Sequence, residues 1–328
     1  MAIRYAKMTI GFAAVSMALC VLAGCGDSDN GNGNDDARLT ANFEQISAGP
    51  YLACGITSNQ EIACWGGEHP TGESAPDGGF SMVSSGDWHS CAIDLDGQVD
   101  CWGIDEDVDA AHDHNKHGQA TDVPTGEFDS ISAGAAHSCA IETSGEIHCW
   151  GRWDTPPEES FEQVSTGIRH SCGIDVDGKV HCWGIDNEQL GDYGQVTETP
   201  EEGTYLKVAA GGTHSCAITE DQELECWGEE SGGSLDHGQV RHTPEGEYVE
   251  VSSGRHHSCA ISTEGAVHCW GSDDEGQVSG APSGTFTQIT VSNAYSCALD
   301  EAGAIECWGI DHGGLGDNGQ VTDAPLAE

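Results

Sequence analysis

Positive charge is what this sequence has least of: ten Lys and Arg stand against 56 Asp and Glu, a formal net charge of −46. A surface that negative repels nucleic-acid phosphates and anionic lipid headgroups, which excludes nucleic acid as a partner. It suits solubility in salty water, where charges are screened within about 8 Å or less. Helical patterning is missing as well. No stretch sustains apolar residues at a 3.6-residue period, so the chain reads as all-β. The motifs of common catalytic sites are absent too: no nucleophile elbow, no HExxH and no phosphate-binding glycine loop. The expectation is a protein that is not an enzyme and carries no cofactor.

What is present begins with a leader. Arg4 and Lys7 precede a nearly apolar run from Met8 to Ala23, the layout of a secretory signal. The run is shorter than the ~20 residues a spanning helix needs. It ends in Leu22-Ala23-Gly24-Cys25, which resembles the lipobox of bacterial lipoproteins. That resemblance implies cleavage before Cys25, lipid on its thiol and, with Gly26 following, an address at the outer membrane. The lipid would be the protein's one contact with the membrane. Removing the leader leaves eight basic residues and a net charge of about −48. Residues 26–41 open with GDSDNGNGNDD, which has no apolar side chain to order it and reads as a flexible tether. Residues 42–328 form the folded part.

A fixed word recurs through that part. Fourteen of the 16 cysteines fall in seven pairs spaced by ten: Cys54/Cys64, Cys91/Cys101, Cys139/Cys149, Cys172/Cys182, Cys216/Cys226, Cys259/Cys269 and Cys297/Cys307. Trp-Gly follows every second cysteine. An aromatic stands eleven before every first cysteine, and Ile or Val eight before it. Within a copy, Cys91, Ile93, Val99 and Cys101 share one face by period two, with Asp96-Gly97 turning the chain between them. A segment such as Phe128–Gly134 supplies a strand before this hairpin, and the Gly-Gln-Val words at Gly194, Gly238, Gly276 and Gly319 are read as a fourth strand. Units of about 40 residues that cannot bury their own faces build propellers or solenoids. The first repeat shows no polar capping unit and a ring removes exposed edges, so the expected fold is a seven-bladed β-propeller, with a solenoid or a pair of sandwiches as the alternative.

Words such as Ser132-Ala-Gly-Ala-Ala-His-Ser-Cys-Ala-Ile141 and Ile147-His-Cys-Trp-Gly151 resemble the regulator of chromosome condensation repeat, over residues 42–328. The resemblance implies the seven-bladed propeller. The family's founder acts on a nuclear GTPase and nucleosomes, which an exported acidic chain does not fit. Secreted members include an inhibitor of β-lactamase, so the fold serves binding in several settings, and function has to come from the site.

Residues ten apart across a three-residue turn lie opposite each other at a non-hydrogen-bonded pair, with Cα atoms about 4.5 Å apart, inside the disulfide window. In an oxidising compartment this gives seven disulfides within hairpins, each worth about 2–3 kcal/mol. Zinc is the rival use, because His89, His137, His170, His214 and His257 stand two before a cysteine, yet no CxxC knuckle occurs. The family resemblance makes these histidines structural. Acidic turns such as Asp94-Leu-Asp96-Gly97 and Asp175-Val-Asp177-Gly178 resemble calcium loops but lack a distal Glu.

Connectors between repeats run from nine residues (152–160) to 24 (104–127), while the hairpin core never changes length. Variable loops on a rigid frame carry recognition. The longest holds Asp107, Asp109, His112, Asp113, His114 and His117, of which Asp109 and the three histidines are weak metal candidates. The shortest holds Trp153, which no repeat position requires. Trp153, Asp107, Asp109 and Asp113 are the expected binding residues, for a basic envelope or extracellular protein of unknown identity. The reading is a non-catalytic binding or scaffold propeller at the cell envelope. The alternatives are an extracellular hydrolase with its site at the channel mouth, or an inhibitor of an extracellular enzyme.

Overall fold

The structure, a computed structural model, describes residues 41–67, 74–103, 118–152, 155–186, 191–313 and 316–326, all within the compact unit Arg38–Glu328. Those residues form seven antiparallel three-stranded sheets, each continuous in sequence. Blade 1 is Phe43–Ala48, Leu52–Thr57 and Ile62–Gly66; blade 2 is Phe80–Ser85, His89–Asp94 and Val99–Gly103; blade 3 is Phe128–Ala133, His137–Glu142 and Ile147–Gly151. Blade 4 is Phe161–Thr166, His170–Asp175 and Val180–Gly184; blade 5 is Tyr205–Ala210, His214–Thr219 and Leu224–Gly228. Blade 6 is Tyr248–Ser253, His257–Ser262 and Val267–Gly271; blade 7 is Gln288–Val291, Tyr295–Leu299 and Ile305–Gly309. The first strands contact one another around a closed ring, blade 7 meeting blade 1. This is a seven-bladed β-propeller.

The hairpins turn as their sequence requires. Asp94 N–H donates to Gln98 O at 2.9 Å and Gly97 N–H to Asp94 O at 3.1 Å, with Gly97 at φ 79°, the three-residue loop with a left-handed third residue. All seven copies hold that residue at positive φ, including Gln60 (65°) and Gln222 (66°) where glycine is absent. Asp94 Oδ1 accepts from the N–H groups of Asp96 (2.9 Å) and Gln98 (2.8 Å), and Asp175 does the same for Asp177 and Lys179. These carboxylates cap their own turns, which accounts for the acidic words that resemble calcium loops.

Cys91 lies directly opposite Cys101 in the register, and the other six pairs repeat this. All seven are disulfides: Cys54–Cys64, Cys91–Cys101, Cys139–Cys149, Cys172–Cys182, Cys216–Cys226, Cys259–Cys269 and Cys297–Cys307, with Cα atoms 4.0–4.1 Å apart. That separation is shorter than the ~4.5 Å expected for an open pair of this kind. The sequence pattern treats the two cysteines of a pair as equivalent, and in burial they are not. The first of each pair, on the middle strand, is fully buried. Cys64, Cys101, Cys149, Cys182, Cys226, Cys269 and Cys307 are only half-buried, because the third strand is the free edge of its sheet. With the repeat cysteines so engaged, none of them offers a thiolate to zinc.

The core sits between blades. Leu52, Cys54 and Ile56 of blade 1 pack on Phe80, Val83, Ala92 and Trp102 of blade 2, and six more clusters repeat the pattern, the last joining Cys297, Leu299 and Ile305 to Phe43, Ile46 and Trp65. Each large side chain buried this way contributes about 1.5–3 kcal/mol before entropy. Buried polar links join the blades as well. His89 shares a hydrogen bond with Ser138 of the next blade (Nε2 to Oγ 2.6 Å), as do His137 with Ser171, His170 with Ser215, His214 with Ser258 and His257 with Ser296. At closure Tyr295 replaces the histidine and its hydroxyl donates to Gly49 O at 2.7 Å. The histidines are therefore the repeat's structural pins.

The Gly-Gln-Val words form turns, not a fourth strand. Their glutamines, and Gln119 of the related Gly118-Gln119-Ala120, are buried, and each backbone carbonyl accepts an indole N–H from the blade that follows: Trp150 on Gln119, Trp227 on Gln195, Trp270 on Gln239, Trp308 on Gln277 and Trp65 on Gln320 (2.8–3.1 Å). A tightly wound turn lets the side-chain amide bond within the same loop, as Gln195 Nε2 does to Gly191 O at 2.7 Å, which an extended strand would not.

Candidate functional site

The ring has two unlike faces. One carries the turns between first and second strands, and the connectors start there: Arg152 N–H donates to Ala136 O, Ile185 to Arg169, Glu229 to Thr213, Ser272 to His256 and Ile310 to Ala294. The connectors end on the opposite face, where Phe128 N–H meets Gly97 O, Phe161 meets Gly145 and Tyr205 meets Gly178. Connectors thus start on one face and end on the other, because a first strand must begin at the end opposite to where the previous third strand stops.

The first-to-second-strand turns surround the channel and form a rigid collar. Asp87 N–H donates to Gly134 O, Ala135 to Gly167, Ile168 to Gly211 and Gly212 to Gly254, at 3.0–3.3 Å. Below this, Ser47 Oγ accepts from Ser85 N–H, Ser84 from Ala133, Ser132 from Thr166, Ser165 from Ala210, Ser252 from Val291 and Thr290 from Ala48. Six of the seven copies hold glycine here, the seventh Ser292; a Cβ on Gly134 would stand 2.4 Å from Gly167 O, and one on Gly86 2.0 Å from Gly134 O.

On this collar each blade presents one dipeptide, and no two are alike: Pro50-Tyr51, Asp87-Trp88, Ala135-Ala136, Ile168-Arg169, Gly212-Thr213, Arg255-His256 and Asn293-Ala294. Their first members line a central cavity of about 80 Å³ that opens to solvent. Asp87 is half-buried there; burial pushes its carboxyl up to about 6, against the pull of Arg255. Tyr51 and Trp88 pair beside it, ring centroids 5.4 Å apart. Burial, helped by Asp87, raises the Tyr51 phenol above its ordinary value. Across the ring His256 stacks near His237 (5.2 Å) and is lowered to about 4, by burial first and then by Arg255.

Sequence reasoning missed the collar, although a signal for it exists: inside a word of eight residues that the five middle copies keep nearly constant, two adjacent positions vary without restraint. The residues chosen from the sequence, Trp153, Asp107, Asp109 and Asp113, lie outside the described residues. So do Cys25 and the metal candidates His112, His114 and His117. Among the described residues one group, Glu142, Glu146 and His148, brings three ligand atoms within 4.8 Å. Its His148–Glu142 contact of 3.0 Å recurs in blade 4 as His181–Asp175 at 2.7 Å, where Lys179 takes the place of Glu146. In both blades the imidazole stands edge-on to the blade's Phe, at 5.8 Å. The pair is a repeat feature that ties hairpin to blade.

The collar, the intra-blade disulfides and the recurring histidine pins define a disulfide-bonded β-propeller of seven sequence-continuous blades. The sequence profile of the regulator of chromosome condensation (RCC1) repeat matches residues 83–107, 128–152, 161–195, 206–239 and 248–277, and the chain belongs to this repeat family. Among solved structures it is similar to the ectodomain of the Arabidopsis thaliana receptor kinase ACR4, with 23% identity, a TM-score of 0.64, and 84% of this chain and 100% of that one covered. The ectodomain of the Physcomitrella patens receptor kinase CR4 gives 20% identity and 0.65 over 82% and 74%. Prp20p from Saccharomyces cerevisiae, described with its binding to Gsp1p and histones, gives 19% and 0.54 over 76% and 77%. No curated protein sequence matches the chain.

Proposed function

We propose that this chain is a non-catalytic, protein-binding propeller held at the bacterial cell envelope by lipid on Cys25. The observation that carries the binding reading is the collar: seven rigid frames of one geometry hold seven different dipeptides on one face. A frame constant in geometry and varied in side chain is what recognition of one particular surface needs, because preorganised groups lose little freedom on binding. Trp153 and the acids Asp107, Asp109 and Asp113, in the shortest and longest connectors, are carried into this reading on the sequence alone, as variable-loop residues suited to contacting the partner. The half-buried Tyr51–Trp88 pair supplies the aromatic anchor common at interface centres. Structural neighbours described with protein partners, Prp20p with Gsp1p and histones and yeast RCC1 with Kap60, lend the fold a precedent. The net charge of −46 favours a basic partner, reached quickly through long-range attraction.

A second reading, an extracellular hydrolase at the channel mouth, draws on one observation, the raised carboxyl of Asp87. That group makes no side-chain hydrogen bond to a base or nucleophile among the described residues, so binding is the better account.

The test is in-cell cross-linking followed by capture, comparing the parent with Trp88→Ala and Cys25→Ala. The expected result is one dominant partner, weakened about tenfold or more by Trp88→Ala, an interface anchor being worth about 2 kcal/mol or more. Cys25→Ala should shift the protein from the membrane to the soluble fraction. Capture unaffected by Trp88→Ala would move the interface off the collar, and a membrane-bound Cys25→Ala protein would end the anchor reading.

A further inference from the structure

The channel mouth carries two charges of opposite sign that do not reach each other. Asp87 and Arg255 line the same cavity, one on blade 2 and the other on blade 6, so they face each other across the ring. Other described cations are engaged: Lys179 donates to Gly203 O at 2.5 Å, Lys207 pairs with Glu250 at 3.3 Å and Arg241 with Asp236. Arg255 is exposed and makes no ion pair among the described residues, in a chain where acids outnumber bases 56 to ten. The two side chains feel each other through space without contact.

The frame keeps them apart. Their turns are bonded blade to blade through backbone groups, Asp87 N–H to Gly134 O on one side and Gly212 N–H to Gly254 O on the other. Drawing one toward the other would break the collar. Between them much of the wall is glycine backbone, as at Gly86 and Gly254, and the small side chains of Ala48, Ala133 and Ala210, with Pro50, Ile168 and Val291 as its larger apolar members. Asn293, next around the ring from Arg255, adds a donor and an acceptor at the same rim.

We infer that the channel mouth is a binding site for a small zwitterion of the α-amino-acid type, its ammonium group on Asp87 and its carboxylate on Arg255. A lone anion would meet Arg255 but also Asp87 and the field of a strongly negative protein. A lone cation would meet Asp87 but also Arg255. A molecule carrying both signs satisfies both ends at once, and being neutral overall it is neither drawn nor repelled by the bulk charge. The cavity of about 80 Å³ has room for a few water molecules, or for a ligand of a few heavy atoms in their place. The carboxyl of Asp87, raised by burial, is what a carboxylate short of a cationic partner looks like.

This site does not depend on the protein-partner reading. It is tested by calorimetry on the full oxidised chain at low ionic strength, with glycine and alanine as ligands and methylammonium and acetate as half-ligands. The variants are Asp87→Asn and Arg255→Gln. The same position holds Pro, Ala, Ile, Gly or Asn in other blades, so the variants should fold, which near-ultraviolet circular dichroism checks. The expected result is saturable binding of the amino acids, weakened about 10- to 100-fold in each variant, the worth of one charged hydrogen bond, with both half-ligands weaker than glycine by a similar factor. Three results overturn it: no amino-acid binding below roughly ten millimolar, weaker than specific sites bind, methylammonium binding as tightly as glycine with Arg255→Gln unaffected, or acetate doing so with Asp87→Asn unaffected. Loss of cross-links to a protein partner would leave this measurement untouched.

Discussion

The indole N–H of Trp65 donates to the backbone carbonyl of Gln320 at 3.1 Å, across 255 residues of chain. The segment after blade 7 thereby does for blade 1 what other connectors do for the blades they precede. Gln320 Nε2 also donates to Pro50 O at 2.8 Å, and Phe43 N–H to Gly303 O at 3.0 Å.

Closure should therefore depend on the last turn. Trp65→Phe should cost about 1–2 kcal/mol, leaving Gln320 O buried without its donor. Deleting residues 311–328 should lower the melting temperature further, because Trp65 loses its cover as well. Denaturant and thermal melts decide it; a truncated chain as stable as the parent would show that the apolar contact of blades 7 and 1 closes the ring unaided.

Trp183 supplies the contrast. The connector before its blade, 152–160, has no Gly-Gln-Val word, and its buried indole nitrogen finds no acceptor among the described residues. Trp183→Phe should then cost measurably less than Trp227→Phe, whose indole donates to Gln195 O. A difference of about 1 kcal/mol is expected, since one change removes a satisfied donor and the other an unsatisfied one. Equal losses in parallel urea titrations would contradict this.

Gln60 and Gln222 sit at φ 65° and 66°, where a Cβ costs about 1–2 kcal/mol. Gln222→Gly should raise the denaturation midpoint by a part of that, the added freedom of the unfolded chain taking back the rest. A lower midpoint would mean that the side chain makes up for the strain.

Burial lowers His137 to about 4 and His170, His214 and His257 to about 3, neighbouring imidazoles adding to the effect at His170 and His214. The unfolded chain, with histidines near about 6.5, binds more protons below that pH than the folded one does. Stability should hold from about pH 8 to about 6.5 and fall continuously between there and about pH 3–4. Asp87, raised to about 6, runs the other way, as do Glu250 and His312, but His256 and the lowered carboxyls of Asp175, Asp236, Asp273 and Asp317 act with the four histidines. Denaturant midpoints measured from about pH 8 down to about pH 4 should slope downward with acid; a flat profile would mean that the imidazoles escape burial.

How much of this could be read from residues alone follows from the range of each interaction. The hairpins, their cysteines and the left-handed turn residue are local, so spacing and residue type determine them, and the repeat count then fixes the ring. Which cysteine of a pair is sealed and which is half-open, Cys139 against Cys149 for one, depends on where the strand lies in its blade, and period two cannot tell them apart. Gln195 and Gln320 look like strand residues because Gly-Gln-Val suits a strand by composition. Their role, a carbonyl offered to an indole 32 or 255 residues away, leaves no periodic trace. The connector faces escape for a similar reason: where a loop starts and where it ends are set by strand direction across two blades. Asp87 and Arg255 meet one cavity only because blades 2 and 6 lie opposite each other, which sequence order hides.

The pairing of the cysteines has a consequence for how the chain matures. Every disulfide joins a cysteine to the next one along the sequence. An oxidase that takes thiols in chain order therefore makes the native set by default. Eight cysteines alone allow about 105 pairings, and fourteen allow far more, yet vectorial oxidation never has to choose among them. Such a protein needs a supply of oxidising equivalents but little shuffling, and each blade can be locked before the one it will pack against has formed.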